Sequence, residues 1–253
     1  MIGEFFGLPR SDWRYVQDLA ERITSSQDPE LGGDSGDSSG GTEMAQYATE
    51  FAACRRRSGF ADDMTGVILA ADFDGAPMSD ADFGGFFVQL VTAGNDTTKS
   101  LVSSGLVTLL RHPEQLADLR NDPSLLAGAV EEIIRYDNPL HYFRRTALVD
   151  TVLAGTRIAA GDKVAMYYTS ANRDESVFVD SQSFDIRRRP NPHVSFGMGA
   201  HFCLGAHLAR LEARVFFDEL LRAFPTIDVV GEPVRVRSNL VNAFKRIPVR
   251  LAG

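Results

Sequence analysis

Cysteine, tryptophan and basic charge are all scarce in this chain. Two cysteines, Cys54 and Cys203, and one tryptophan occur among 253 residues. Two cysteines cannot build a disulfide framework, so the expectation is a reducing, cytoplasmic setting. Lysine and arginine number 26 against 34 acids, a formal net charge of −8, which argues against a general nucleic-acid binder. No apolar run approaches the ~20 residues that cross a bilayer. The first ten residues, MIGEFFGLPR, carry an early Glu4 and too short an apolar core for a signal peptide. No membrane anchor and no internal repeat is expected. The rest is ordinary: 44% hydrophobic and 24% charged residues, with length enough for one large domain and a substantial core.

Taken in order, the pattern is mainly helical. A short helix breaks at Gly7-Leu8-Pro9, and a second starts with Ser11 as its cap. Residues 32–41, GGDSGDSSGG, read as a flexible polar link. Helices are expected from Thr42, as cap, to Ser58, and from Asp62 to Ala71. Ser79 caps a long helix to Arg111 whose stripe Phe83, Phe87, Leu90, Gly94, Thr97 and Leu101 recurs at three- and four-residue steps. Further helices cover Glu114–Arg120 and Ser124–Tyr136. Runs 146–153, 156–158 and 163–168 are β-like, and residues 226–252 alternate like terminal hairpins. The fold class is mainly α with a small β portion.

The stretch 196–210, FGMGAHFCLGAHLAR, concentrates the unusual residues. A dinucleotide fingerprint would need glycine where Phe202 stands. A zinc site would need a second clustered pair beside Cys203 and His207. What remains is one thiolate presented from a tight loop. Gly197, Gly199 and Gly205 permit backbone angles and close approaches that a side chain would block. Cys203 precedes a helix expected over Leu204–Phe217, whose N-terminal end would stabilise a sulfur anion. A buried structural cysteine is the plainer alternative, but a lone thiolate near Phe196 suits an axial ligand of haem iron. The string F-x-x-G-x-H-x-C-x-G resembles the haem-binding loop of the cytochrome P450 family.

Two further stretches carry the same resemblance. In AGNDTT, Ala93 and Gly94 share a helix face with Thr97, so a flat cofactor or O2 could lie against the backbone there. Asp96 and Thr97, an adjacent acid and alcohol, can relay protons to reduced oxygen; a Ser/Thr kink is the plainer alternative. The segment resembles the family's A/G-G-x-D/E-T pattern. Glu132-Ile133-Ile134-Arg135 holds an i, i+3 acid–base pair, worth ~0.3–0.5 kcal/mol on an exposed helix, and resembles the family's E-x-x-R pair.

The resemblance implies a cytochrome P450 fold whose N-terminal part is missing from this chain, with residues 1–253 forming the C-terminal portion of one domain. It implies haem b (iron protoporphyrin IX), with Cys203 as the iron ligand and His201 and Arg145 toward its propionates. Arg144 competes with Arg145. Phe196, Gly197, Gly94 and His193 would stand beside the cofactor, although His193 is as well suited to ordering the loop. Asp96 and Thr97 would be catalytic. Glu132, Arg135 and an arginine just upstream of the loop would be structural; Arg188 fits by position, with Arg187 and Arg189 as neighbours. The activity implied is insertion of one atom of O2 into an apolar sterol, terpenoid or alkyl substrate. Electrons would come from a ferredoxin or flavodoxin-type partner, for which Arg210 and Arg214 are docking candidates. The alternative is a truncated, inactive haem-binding fragment. A cysteine-nucleophile hydrolase would need a better-placed base than His201.

Overall fold

A computed structural model of the protein describes residues 2–31, 39–73 and 75–252. The chain divides into two compact units, with the boundary between Thr97 and Thr98. Its elements are predominantly helical with a minor antiparallel β component.

The first unit holds α1 (Ile2–Phe5), α2 (Trp13–Thr24), α3 (Ser39–Ser58), α4 (Met64–Ala70), the hairpin β1 (Asp72–Phe73) and β2 (Ala76–Pro77), and the start of α5 (Asp80–Arg111). Val16, Leu19 and Ala20, at three- and four-residue steps, give α2 its buried face. That face joins Phe6, Met44, Ala48, Phe83 and Phe87 in one apolar cluster. The Phe6 and Phe87 rings meet edge to face at 4.9 Å. Ser79 accepts the Asp82 amide at 3.1 Å and caps α5. Asp63 caps α4 by accepting the Gly66 amide at 2.9 Å, and Arg55 holds the same carboxylate.

Two boundaries differ from the sequence expectation here. Ser11 does not cap α2: residues Arg10–Asp12 form a 3-10 turn, and the Ser11 hydroxyl donates to Asp12 instead. Of the link expected over residues 32–41, residues 32–38 lie outside the described residues. Ser39, Gly40 and Gly41 already belong to α3, so Thr42 is helix interior, not a cap. The reason is tertiary. Arg22 of α2 donates to the Ser39 hydroxyl at 2.7 Å, and Gly40 is buried against Ile23 and Arg22.

The second unit contains the remainder of α5, then α6 (Pro113–Asn121), α7 (Leu126–Tyr136), β3 (Tyr142–Thr146), β4 (Thr151–Leu153), β5 (Thr156–Ile158), β6 (Lys163–Tyr167), α8 (Tyr168–Ala171), α9 (Ala206–Ala223), β7 (Thr226–Val229), β8 (Val234–Arg235), β9 (Phe244–Arg246) and β10 (Val249–Ala252). Strands pair antiparallel as β3 with β6, β4 with β5, β7 with β10 and β8 with β9. The β-like run over residues 146–153 is two strands rather than one. A bend over residues 147–150 separates them, held by the Ala147 amide on the Asp162 carbonyl and the Ala160 amide on Asp150. Ile133, Ile134, Ala213 and Phe217 place the α7 and α9 faces in one core with Leu101, Leu109 and Ile186.

Candidate functional site

The cysteine loop is closed by its own backbone. The Cys203 amide donates to the Phe196 carbonyl at 2.8 Å, the Gly197 amide to Val194 at 2.8 Å, and the Phe202 amide to Gly199 at 3.0 Å. Gly197 and Gly199 sit at φ +72° and +66°, the left-handed region that side chains disfavour. Gly205 differs: its φ is −83°, an angle any residue adopts. It is the N-cap of α9, which therefore begins two residues later than Leu204 and extends past Phe217 to Ala223. A Cβ built on Gly205 would lie 4.0 Å from the Cys203 sulfur, so the thiol stands at the cap of that helix. Cys203 is exposed, and its loop neighbours Met198, Phe202 and Leu204 are 73%, 49% and 81% exposed.

Gly197→Ala should destabilise the loop by about 1–2 kcal/mol, because the left-handed backbone clashes with a Cβ. Neighbouring atoms leave little room to relax, since that Cβ would meet the His201 carbonyl and the Tyr168 hydroxyl at 3.3 Å. Urea denaturation of the variant beside wild type measures this.

Behind the loop lies an ion-pair network centred on two fully buried side chains of α7. Glu132 Oε1 accepts from Arg135 Nη2 at 2.7 Å, Arg188 Nε at 3.2 Å and the Asp185 amide at 3.0 Å. Its Oε2 accepts from Arg135 Nε at 2.8 Å and Asn191 Nδ2 at 3.0 Å. Arg135 spends its other donors on the Asn172, Ser181 and Ser183 carbonyls. Neither Glu132 nor Arg135 has any exposed side-chain surface, so the weak surface-pair value does not apply. Arg187, next to Arg188, pairs instead with Asp118 at 2.6 Å.

Sequence reading missed two residues that hold the segment entering the loop. Asn172 accepts the Val194 amide at 2.9 Å and donates to the Ser195 hydroxyl at 2.7 Å. Glu131 accepts from His193 Nε2 at 3.0 Å and takes a two-pronged bond from Arg210, Nε at 2.6 Å and Nη2 at 2.9 Å. Two adjacent acids inside an apolar helix were the available signal for Glu131; Asn172 left none. His193 is thereby tied to α7, its side chain only 4% exposed. Arg210, a docking candidate from the sequence, is paired with Glu131 and its side chain is 26% exposed. Arg214 is exposed and donates to the Arg210 carbonyl.

Burial opposes ionisation of Glu131, but the bonds from His193 and Arg210 prevail and hold its carboxyl down to about 2. A carboxylate depressed by folding stabilises the native state above its unfolded value and loses that contribution as pH falls through the folded one. Stability should therefore drop between its ordinary value of 4.5 and about 2. Urea midpoints measured across that range should fall less steeply in Glu131→Gln.

The other candidates are placed as follows. Arg145 is half-buried on β3 and donates to the Arg144 carbonyl at 3.1 Å, while Arg144 is exposed. Asp150 is taken by Arg157 and the Ala160 amide. His201 ends the 3-10 turn Gly199–His201 and is exposed. His112 bonds the Thr108 carbonyl at the end of α5.

In the first unit, Ala93 and Gly94 are exposed on α5 and Thr97 is half-buried. The Thr97 hydroxyl donates back to the Ala93 carbonyl at 2.6 Å. Asp96 is buried and accepts from the Thr24 hydroxyl and from Asn95 Nδ2 at 3.2 Å.

The cytochrome P450 family profile matches residues 53–241. The chain belongs to the cytochrome P450 family. A methyl-branched lipid omega-hydroxylase of Mycobacterium tuberculosis is 42% identical over 252 residues, 98% of this chain and 59% of that protein. A steroid C26-monooxygenase of Rhodococcus jostii is 40% identical, covering 98% of this chain and 52% of that one. Among solved structures, cytochrome P450 CYP268A2 of Mycobacterium marinum, in complex with pseudoionone, superposes with a TM-score of 0.92 at 41% identity, over 98% of this chain and 61% of that one. The P450 chain thus spans 52–61% of the length of these relatives. No helix among the described residues is long and apolar enough to cross a membrane.

Haem b is the cofactor of this family, and the residues present fit it. An exposed soft sulfur donor shares its loop with uncovered Met198, Phe202 and Leu204. That is the donor type and the apolar surface a flat iron macrocycle requires.

Proposed function

We propose that this P450 chain serves a haem-thiolate monooxygenase that inserts one atom of O2 into an apolar organic substrate. The observation that carries this reading is Cys203, an exposed thiol on a self-closed loop at the cap of α9. Haem b, when bound, supplies the oxygen chemistry, with thiolate ligation favouring O–O cleavage. Two electrons and two protons accompany each turnover, the second oxygen atom leaving as water.

Cys203 would hold the iron, with Phe196 and Gly197 fixing its loop. His201 and Arg145 would bind the propionates, a task suited to cationic and hydrogen-bonding side chains. Thr97 would hold and pass a proton at Oγ1, which must turn away from the Ala93 carbonyl to do so. Asp96, tethered to Thr24, would resupply that hydroxyl. Gly94, exposed on α5, would stand beside the cofactor. Glu132, Arg135 and Arg188 are the structural frame behind the loop.

The substrate reading, a sterol, terpenoid or branched alkyl chain, is supported by the lipid and steroid hydroxylases among the relatives. The electron donor would be a ferredoxin or flavodoxin-type protein in the cytoplasm. Arg214 is the docking candidate on α9 left free of an acidic partner by the pairing of Arg210 and Arg222.

The test is the spectrum of the reduced, carbon-monoxide-bound protein. A strongly red-shifted main band supports thiolate ligation; a band at the position of histidine-ligated haem would sink the reading. Thr97→Ala should keep that band while diverting most electrons to hydrogen peroxide, read as peroxide formed per NAD(P)H consumed. Unchanged coupling would remove Thr97 from the proton route. A haem-binding chain without turnover would show the band but consume no reductant with substrate.

A further inference from the structure

Glu131 is joined to the thiol-bearing loop from both sides. Its Oε2 takes His193 Nε2 at 3.0 Å, ahead of the loop. Its two oxygens take the Arg210 fork at 2.6 and 2.9 Å, from the helix that follows the loop. The Arg210 guanidinium lies over the Phe196 ring, 4.4 Å from its centroid. The Phe196 carbonyl in turn accepts the Cys203 amide at 2.8 Å. One carboxylate therefore holds, through two cation or ring contacts, the residue whose backbone seats the cysteine.

The charges are arranged to cancel. The Ser195 amide donates weakly to His193 Nδ1 at 3.4 Å, which leaves the ring proton on Nε2, pointing at Glu131. His193 Nε2 then orients the carboxylate, which pairs with the Arg210 guanidinium. Hydrogen bonds to the groups around a metal ligand orient that ligand and tune the metal. The Arg210 and Glu131 side chains are 26% and 31% exposed, so solvent partly screens these charges.

We propose that Glu131 is a positioning residue that, through Arg210 and Phe196, seats the Cys203 loop and offsets the positive charge beside the thiolate. The inference rests on the haem-thiolate reading of Cys203. Loss of the carboxylate leaves Arg210 uncompensated, which favours an added electron at the ligated metal. Loss of the guanidinium does the reverse.

The test is spectroelectrochemical titration of the haem-loaded full chain, as wild type, Glu131→Gln, Arg210→Gln and the double variant. The midpoint potential should rise in Glu131→Gln, fall in Arg210→Gln and return close to wild type in the double variant. A structural loss alone would not produce opposite shifts that cancel. Where Glu131→Gln fails to fold, Arg210→Gln against Arg210→Lys decides: the potential should fall in the first and recover in the second. Potentials unchanged in Arg210→Gln, or a double variant displaced further than either single, would overturn the proposal. A wild type lacking the red-shifted carbon-monoxide band would instead bring down the Cys203 reading, and this inference with it.

Discussion

Replacing Glu132 by alanine should cost about 3–5 kcal/mol, the penalty for leaving a buried charge without its partner. That is a large part of the ~5–15 kcal/mol by which a domain is stable. Arg135 has no exposed side-chain surface and cannot turn toward water. Its three carbonyl partners remain, but none carries a compensating charge. The loss spreads further, because Glu132 also receives Arg188, Asn191 and the Asp185 amide. These contacts tie the segment before the cysteine loop to α7. By contrast, Arg157→Ala should change stability by only ~0–1 kcal/mol, since its pair with Asp150 is 79% and 59% exposed. Urea unfolding of both variants is the comparison. Equal losses would mean that the Glu132 network does not carry the fold behind the loop.

Cys203→Ser should abolish thiolate-type haem spectra completely, while Cys54→Ser leaves them unchanged. Exposure does not separate the two thiols, since both are exposed. Their backbones do. Cys54 lies in the regular turns of α3. The Cys203 amide is bonded to Phe196, and its sulfur stands at the cap of α9. Serine keeps that amide bond and nearly the same volume, so the loop should survive. The replaced atom is the only loss, because a hydroxyl does not supply the soft anionic donor of a thiolate. A variant with unaltered far-ultraviolet circular dichroism and no red-shifted band is the expected pair of results. A retained band would assign the iron to another ligand.

Several features were legible because their causes are local. The turns of the cysteine loop depend on glycine at 197 and 199, where φ is positive, and the string itself shows them. The extent of α5 follows from Ser79 as its cap and His112-Pro113 at its end. The acid and base of Glu132 and Arg135 share a helix face through i, i+3 spacing alone. Periodicity was enough for the helical class.

Other features depend on which distant residues arrive. Glycines in a low-complexity run read as a link until Arg22 and Ile23 of α2 offer the start of α3 a partner. A β-like run from 146 to 153 hides a bend because its stabilising acceptors, Asp162 and Asp150, answer residues ten or more positions away. Arg187 and Arg188 are equivalent in sequence, yet they reach different acids on different helices. Glu131 and Asn172 carry no motif, and only packing makes them partners of His193, Arg210 and Ser195. By itself the sequence determined the helical class, the glycine turns that present Cys203 and the helix face shared by Glu132 and Arg135. Those rest on backbone angles and short-range spacing. Tertiary structure alone decided which charges are buried and which arginine each acid receives, because desolvation and partner choice arise only when separate segments meet.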